Sequence, residues 1–247
     1  MLQTQTVRPE TLVLIQKLSN DEQLKNFILV GGTALSLQIG HRISVDIDLF
    51  SSLPFDAKKI SDYLARQYNT KLINTLTNGI FCYIDEVKVD LIAHQYKQID
   101  ALVIEQEIRM ASLKEIGAMK LNAIVNSGSR LKDFVDMYTL LEHHSLKSML
   151  DAYEQKYPQT NRQIATNALN YFEDIDEEID SIRFIVTPPT IEQVKERLYN
   201  ATLDQRKIFP DLQQAKKQKL TPEISEQERT LQQKRRQKQS RGPKRSM

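Results

Sequence analysis

A single cysteine, Cys82, excludes a disulfide framework and suits a reducing compartment. There are four histidines, only His143 and His144 are adjacent, and no zinc-ligand spacing results. No apolar run approaches the roughly 20 residues that a membrane span needs, and the first residues lack the charged-then-apolar layout of a secretory leader. These absences predict a cytoplasmic protein with no membrane partner. No internal repeat is present. The 247 residues suffice for one large domain or two small ones with a real core.

Acid is missing from one end. Arg229 to Met247 holds eight basic residues and no acidic one. From Asp211 onward, 11 Lys/Arg face four Asp/Glu, a balance of +7; the total of +2 leaves −5 for the first 210 residues. This stretch is too poor in large apolar side chains to offset the entropy of ordering, and residues 209–247 read as a disordered basic tail. It suits an arm for a polyanion, a contact for an acidic partner, or a solvated extension. Six acids between Glu173 and Asp180 read as a solvated surface loop.

The most informative stretch is Phe27 to Phe50. An apolar run over residues 27–30 meets Gly31-Gly32, which predicts a buried strand breaking into a tight turn. Thr33 is placed to cap a short helix over Ala34 to Ile39, which Gly40 stops. Ile43 to Phe50 then alternates Val45, Ile47 and Leu49 with Ser44, Asp46 and Asp48. Residues i and i+2 of a strand share a face, so the two carboxylates are expected on one side. Beside them, a glycine turn opening a helix offers bare amides to phosphate. That pairing suggests metal-assisted phosphoryl chemistry.

Elsewhere the periods predict a helix over residues 9–19, a helix over Asp56 to Tyr68, strands over Lys71 to Leu76 and Ile80 to Ile84 joined through Asn78-Gly79, and a strand over Val87 to Ile92. From Ser112 onward the pattern is helical: Ser112 to Asn126, Lys132 to Glu142, Leu146 to Lys156, Arg162 to Phe172 and Ile191 to Tyr199. Asp90 would then sit on a later strand able to neighbour Asp46 and Asp48. Three carboxylates on rigid strands are what two divalent ions about 4 Å apart require. The alternative for Asp90 is an edge-strand acid paired to Lys88.

Gly31 to Phe50 reads Gly-Gly-Thr-Ala-Leu-Ser-Leu-Gln-Ile-Gly-His-Arg-Ile-Ser-Val-Asp-Ile-Asp-Leu-Phe. It resembles the signature of the AbiEii/AbiGii-type nucleotidyltransferase toxins, members of the DNA polymerase β-like superfamily, and the resemblance continues to about Leu141. Lys88-Val89-Asp90 is similar to the family's second motif, Gly117 to Ala123 around Lys120 to its third, and Arg130 to Asp136 to its fourth. The resemblance implies metal ligation by Asp46, Asp48 and Asp90, nucleotide binding at Gly31, Gly32, Thr33, Ser44 and Lys120, and a catalytic part for Asp133. Arg42, Lys88, Arg130 and Asp136 would support the site; Arg42 is open between phosphate and a carboxylate partner, and Asp136 between the site and bracing the helix. Glu115 departs from the family pattern, where an Asp is expected.

The fold implied is α+β: a nucleotidyltransferase domain over 1–110 with a mixed sheet flanked by helices, a helical domain over 111–208, then the tail. The function implied is a Mg²⁺-dependent toxin that moves NMP from an NTP to an RNA, tRNA in characterised relatives, with a separately encoded antitoxin as partner. Two other readings stand beside it: transfer of NMP to a protein hydroxyl, and a binding protein without turnover.

Overall fold

The apolar run ending at Val30 forms β1 (Ile28–Val30), and β2 (Ile47–Ser51) returns antiparallel beside it with Val30 opposite Asp48. Around this pair the computed structural model, which describes residues 1–175 and 178–210, builds a mixed seven-stranded sheet of order β3-β4-β5-β2-β1-β7-β6. Strands β3 (Thr70–Leu76), β4 (Gly79–Ile84) and β5 (Val87–Ala93) run as antiparallel hairpins, and β5 lies parallel to β2. On the other side, β7 (Ile108–Met110) pairs parallel to β1 and antiparallel to β6 (Val103–Glu105).

Helix α1 (Pro9–Asn20) packs on β1 and β7, and α3 (Ala57–Gln67) on β3 and β4. Pro9 suits the first turn of α1, where an amide has no intrahelical partner. The Asp56 carboxylate caps α3 by accepting from the Lys59 amide at 2.9 Å. Between β1 and β2 runs α2 (Gly31–Ile39), ended by Gly40 in the left-handed region at φ 85°.

The second half is helical: α4 (Leu113–Asn126), α5 (Leu131–Leu140), α6 (Leu146–Lys156), α7 (Arg162–Ala168) and α8 (Ile191–Leu203). Helix α4 packs on α5, α6 and α7 and also touches α2, joining the two halves; residues 1–208 form one compact unit. Its buried face includes Ile116, Leu121 and Ile124, at the helical spacing visible in the sequence.

Four expectations change. Helix α2 begins at Gly31 with Val30 at its cap position, so Thr33 is a buried first-turn residue and not the cap. Strand β2 starts at Ile47, not Ile43, because the preceding loop bonds elsewhere: the Ser44 amide to the Thr6 carbonyl at 2.9 Å, the Ile43 amide to the Arg183 carbonyl at 2.7 Å. Val45 is consequently exposed, not part of an apolar face. Strands β6 and β7 had not been predicted. The described members of the acidic run, Glu173, Asp174, Glu178 and Asp180, are exposed. The tail from residue 211 lies outside the described residues.

Candidate active site

Strand register builds the centre. Asp48 on β2 stands directly opposite Asp90 on β5, and Ile47 opposite Val89. Both acids lie on the sheet face away from the buried Ile47, Leu49, Val89 and Leu91. Asp46 sits in the loop one residue before β2, exposed, and its charge acts on Asp48. Burial pushes the Asp48 carboxyl up, and the neighbouring Asp90 and Asp46 charges add to this, while Lys120 opposes it.

Gly31 explains how the chain approaches that carboxylate. A Cβ at Gly31 would collide with Asp48 Oδ2, and its φ of 69° disfavours any side chain. At Gly32 a Cβ would strike the Arg42 guanidinium. The N-terminus of α2 thus opens beside Asp48 with no side-chain cap, its first amides directed to whatever anion is present. Thr33 Oγ1 donates to the Asp46 carbonyl and lies 2.8 Å from Ser44 Oγ, which fixes the loop ahead of β2.

Asp90 lies on a strand between β4 and β2, not at an edge, although Lys88 Nζ does donate to its Oδ2 at 2.9 Å. That bond holds the Lys88 ammonium above its ordinary pKa. Asp90 Oδ1 is buried without a hydrogen-bond partner. Such an orphaned carboxylate oxygen, in register with a second desolvated carboxylate, fits a hard divalent cation. Among the described residues, no group of three or more His, Cys, Asp or Glu is arranged to hold a metal ion.

The helical half contributes a buried ionic network. Asp136 on α5 is fully buried and accepts from Arg42 Nε at 2.7 Å and Nη2 at 2.9 Å, a bidentate pair. His41 Nε2 lies 2.8 Å from Asp136 Oδ1, and Lys120 Nζ is 2.6 Å from Asp136 Oδ2. Lys120 also donates to Asp133 Oδ1 at 2.6 Å, and the exposed Arg130 is 3.8 Å from Asp133 Oδ2. Burial alone would raise the Asp136 carboxyl, but Arg42 and Lys120 hold it well below the usual carboxylate range. Burial also lowers the His41 imidazole, keeping it neutral near pH 7. Lys120 stays protonated because Asp136 and Asp133 outweigh the cost of burial. Arg42, open from sequence, is here the clamp between the Asp46 loop and α5.

The family model described as nucleotidyl transferase AbiEii toxin, type IV TA system, matches residues 13–235. The chain belongs to this family. An uncharacterised protein of Aquifex aeolicus (strain VF5) is 31% identical over 160 residues, covering 62% of this chain and 77% of that one. The crystal structure of JHP933 from Helicobacter pylori is similar at 14% identity, a TM-score of 0.49 and coverage of 88% and 96% of the two chains. A crystal structure of ANT(2″)-Ia in complex with adenylyl-2″-tobramycin has 15% identity, a TM-score of 0.46 and coverage of 60% and 97%.

As an AbiEii-family chain, the protein is a nucleotidyltransferase of the type IV toxin–antitoxin kind. Two features of this AbiEii site were missed from sequence. His41 joins the Asp136 network, for which its place beside Arg42 was the sole hint. Phe184 bridges to Arg42 and the Ile185 amide donates to the His41 carbonyl at 3.2 Å, so a distant segment backs the loop that carries Asp46; nothing local in residues 183–185 signals this.

Proposed function

We propose that this AbiEii-family toxin transfers NMP from an NTP to the 3′ end of an RNA, with tRNA as the acceptor whose modification stops translation. The observation that carries the reading is the register pair Asp48–Asp90 beside the uncapped N-terminus of α2. Asp48 and Asp90, with Asp46 brought in from the loop before β2, would hold Mg²⁺, which when bound lowers the pKa of the attacking hydroxyl and neutralises the departing pyrophosphate.

The chain's own groups do the rest. The NTP lies between the sheet-bearing part, residues 1–110, and the helical part, residues 111–208. The amides after Gly31 and Gly32, with the Thr33–Ser44 loop beside them, receive phosphate oxygens. Lys120 gives two N–H groups to Asp133 and Asp136 and keeps a third for phosphate; Asp133 orients it. The acceptor hydroxyl oxygen attacks the α-phosphorus, its proton passes to solvent, and pyrophosphate leaves. Arg42 and Asp136 keep the Asp46 loop fixed against α5. A separately encoded antitoxin opposes this activity.

The test incubates the protein with each labelled NTP, Mg²⁺ and total RNA, beside the Asp46→Asn and Asp48→Asn variants. Label is expected in RNA with the wild type and at background with either folded variant. Label in protein alone would replace RNA by a protein hydroxyl as acceptor. Wild-type turnover in a variant would remove that aspartate from the metal site.

A further inference from the structure

A shallow pocket of about 50 Å³, open to solvent, lies on the sheet face that carries Asp48. Its lining includes Val30, which is paired to Asp48, and Phe50, two residues further along the same face of β2, about 7 Å away at the usual rise of a strand. From α4 and α6, Glu115 and Lys156 line the same space. The pocket therefore continues the catalytic face between the sheet and the helices. No part of the transfer chemistry described above uses it.

Its walls combine two kinds of chemistry. One is aromatic: His94 packs against Phe50 at 5.1 Å between ring centroids and against Tyr96 at 4.8 Å, and Tyr96 is 43% exposed. Tyr157 supports both rings from beneath, with its hydroxyl 2.9 Å from His94 Nε2 and its ring 4.7 Å from that of Tyr96. Burial lowers the His94 imidazole to about 4, so it is a neutral ring near pH 7.

The other kind is polar and fixed. Lys156 Nζ donates to Glu115 Oε1 at 2.7 Å, and both side chains are buried. Glu115 Oε2 accepts from the Ile99 amide at 3.1 Å, while Lys156 also donates to the Lys97 carbonyl at 3.3 Å. One ammonium N–H remains for a ligand. A buried ion pair is a poor way to stabilise a fold, since apolar residues of the same volume serve at least as well. Placed at a pocket wall, it presents a donor and an acceptor side by side. The carboxamides of Asn26 and Gln98 add further groups of both kinds.

A flat partner with donor and acceptor atoms on its edge satisfies both walls. We propose that this pocket seats a nucleobase, stacked on Tyr96 and read at its edge by the Lys156–Glu115 pair, so that its ribose and phosphate reach Asp48 and Gly31. The assignment rests on the nucleotidyl-transfer reading and deepens it. The base belongs either to the incoming NTP or to the last nucleotide of the acceptor strand; both place a reacting oxygen or phosphorus one sugar away from the base.

Equilibrium binding without turnover tests this on the full chain, using the four NTPs and short single-stranded RNA oligonucleotides as separate probes. Tyr96→Ala is expected to weaken one probe class about tenfold, within the range of base stacking on an aromatic ring. Tyr96→Phe should bind as the wild type does. Loss confined to NTPs assigns the base to the donor; loss confined to oligonucleotides assigns it to the acceptor. Glu115→Gln should alter the ranking among the four bases; where removal of Lys156's counter-charge prevents folding, Tyr96→Ala alone decides. Wild-type affinity of folded Tyr96→Ala for both probes overturns the pocket, as does a wild-type protein that binds neither. If the transfer assay fails while the Tyr96→Ala effect holds, the reaction falls and the base site stands.

Discussion

Lys120 illustrates how one side chain is committed twice. Its ammonium is buried between Asp133 and Asp136, each at 2.6 Å, yet it is also the strongest of the charges drawing the Asp48 carboxyl down. Truncation therefore removes the proposed phosphate contact and leaves Asp133 with the exposed Arg130 at 3.8 Å, while Asp136 keeps Arg42 and His41. Lys120→Ala is expected to weaken NTP binding by about 1–3 kcal/mol, the scale of a charge-assisted hydrogen bond, and to destabilise the fold by about 3–5 kcal/mol, as loss of one partner from a buried pair does. Calorimetric titration with NTP and urea denaturation read the two effects separately. Unchanged NTP affinity in the folded fraction would leave Lys120 a purely structural cation.

Among the elements, the start of α2 sets the geometry of the site. Gly31 enters that helix at a positive φ with its α-carbon against the Asp48 carboxylate. Gly31→Ala must therefore displace Asp48 or the helix N-terminus, at a strain cost of about 1–3 kcal/mol. The expected result is a protein of lowered denaturation midpoint that has lost most of its NTP binding; full affinity would show that the anion seat lies elsewhere. The hairpins behave differently. Asp85-Glu86 and Gln106-Glu107 occupy both central positions of two-residue turns at φ values between 48° and 65°, where Asn-Gly is the usual choice. The apolar strands on either side impose those turns on residues that do not favour them. For that reason β6 and β7 carry no local signal.

At the scale of the whole molecule, the His41–Arg42–Asp136–Lys120 cluster joins the sheet-bearing half to the helical half, and its titration gives stability a definite pH dependence. The folded state lowers His41 below the ordinary imidazole value of 6.5, so the unfolded chain binds more protons there as pH falls through 6.5 and stability decreases. Asp136 is also lowered, from 3.8; its contribution is present above that value and lost as pH falls through the folded pKa. Denaturation midpoints are thus expected to fall in two steps on acidification, and His41→Gln should diminish the upper one, to which His94 and His144, also lowered in the fold, contribute the remainder. An upper step of wild-type size in His41→Gln would contradict the assignment. The charge of the tail is tested at this scale too. Removing residues 211–247 takes +7 from a body of −5, and should weaken RNA binding and flatten its salt dependence while NTP affinity is kept. An unchanged salt slope would make the tail a solvated extension.

Chemistry-bearing residues were legible because their signal is local. Gly-Gly before a helix, Asp46 and Asp48 two apart, Lys88-Val89-Asp90 and the period around Lys120 each depend on neighbours within a few positions. Helices α3, α4 and α6 followed from apolar spacing; that Asp56 and Ser112 cap the first two is seen in the structure. The partners of these residues depend on tertiary structure. The sequence held Arg42 open between phosphate and carboxylate; only the packing of α5 against the Asp46 loop brings Asp136, 94 residues away, to its guanidinium. Asp90 was an acid on some later strand until parallel pairing of β2 and β5 set it opposite Asp48. The Thr33 cap failed for the same reason: local propensity favours a hydroxyl at a helix start, but β1 delivers the chain into the helix three residues earlier, and the hydroxyl bonds to the Asp46 carbonyl instead. Sequence alone determines which residues can hold charge, turn or stack, because these are properties of side chains and near neighbours. Tertiary structure decides which buried charge meets which, because the cost of leaving one unpaired is settled only when distant elements close around it.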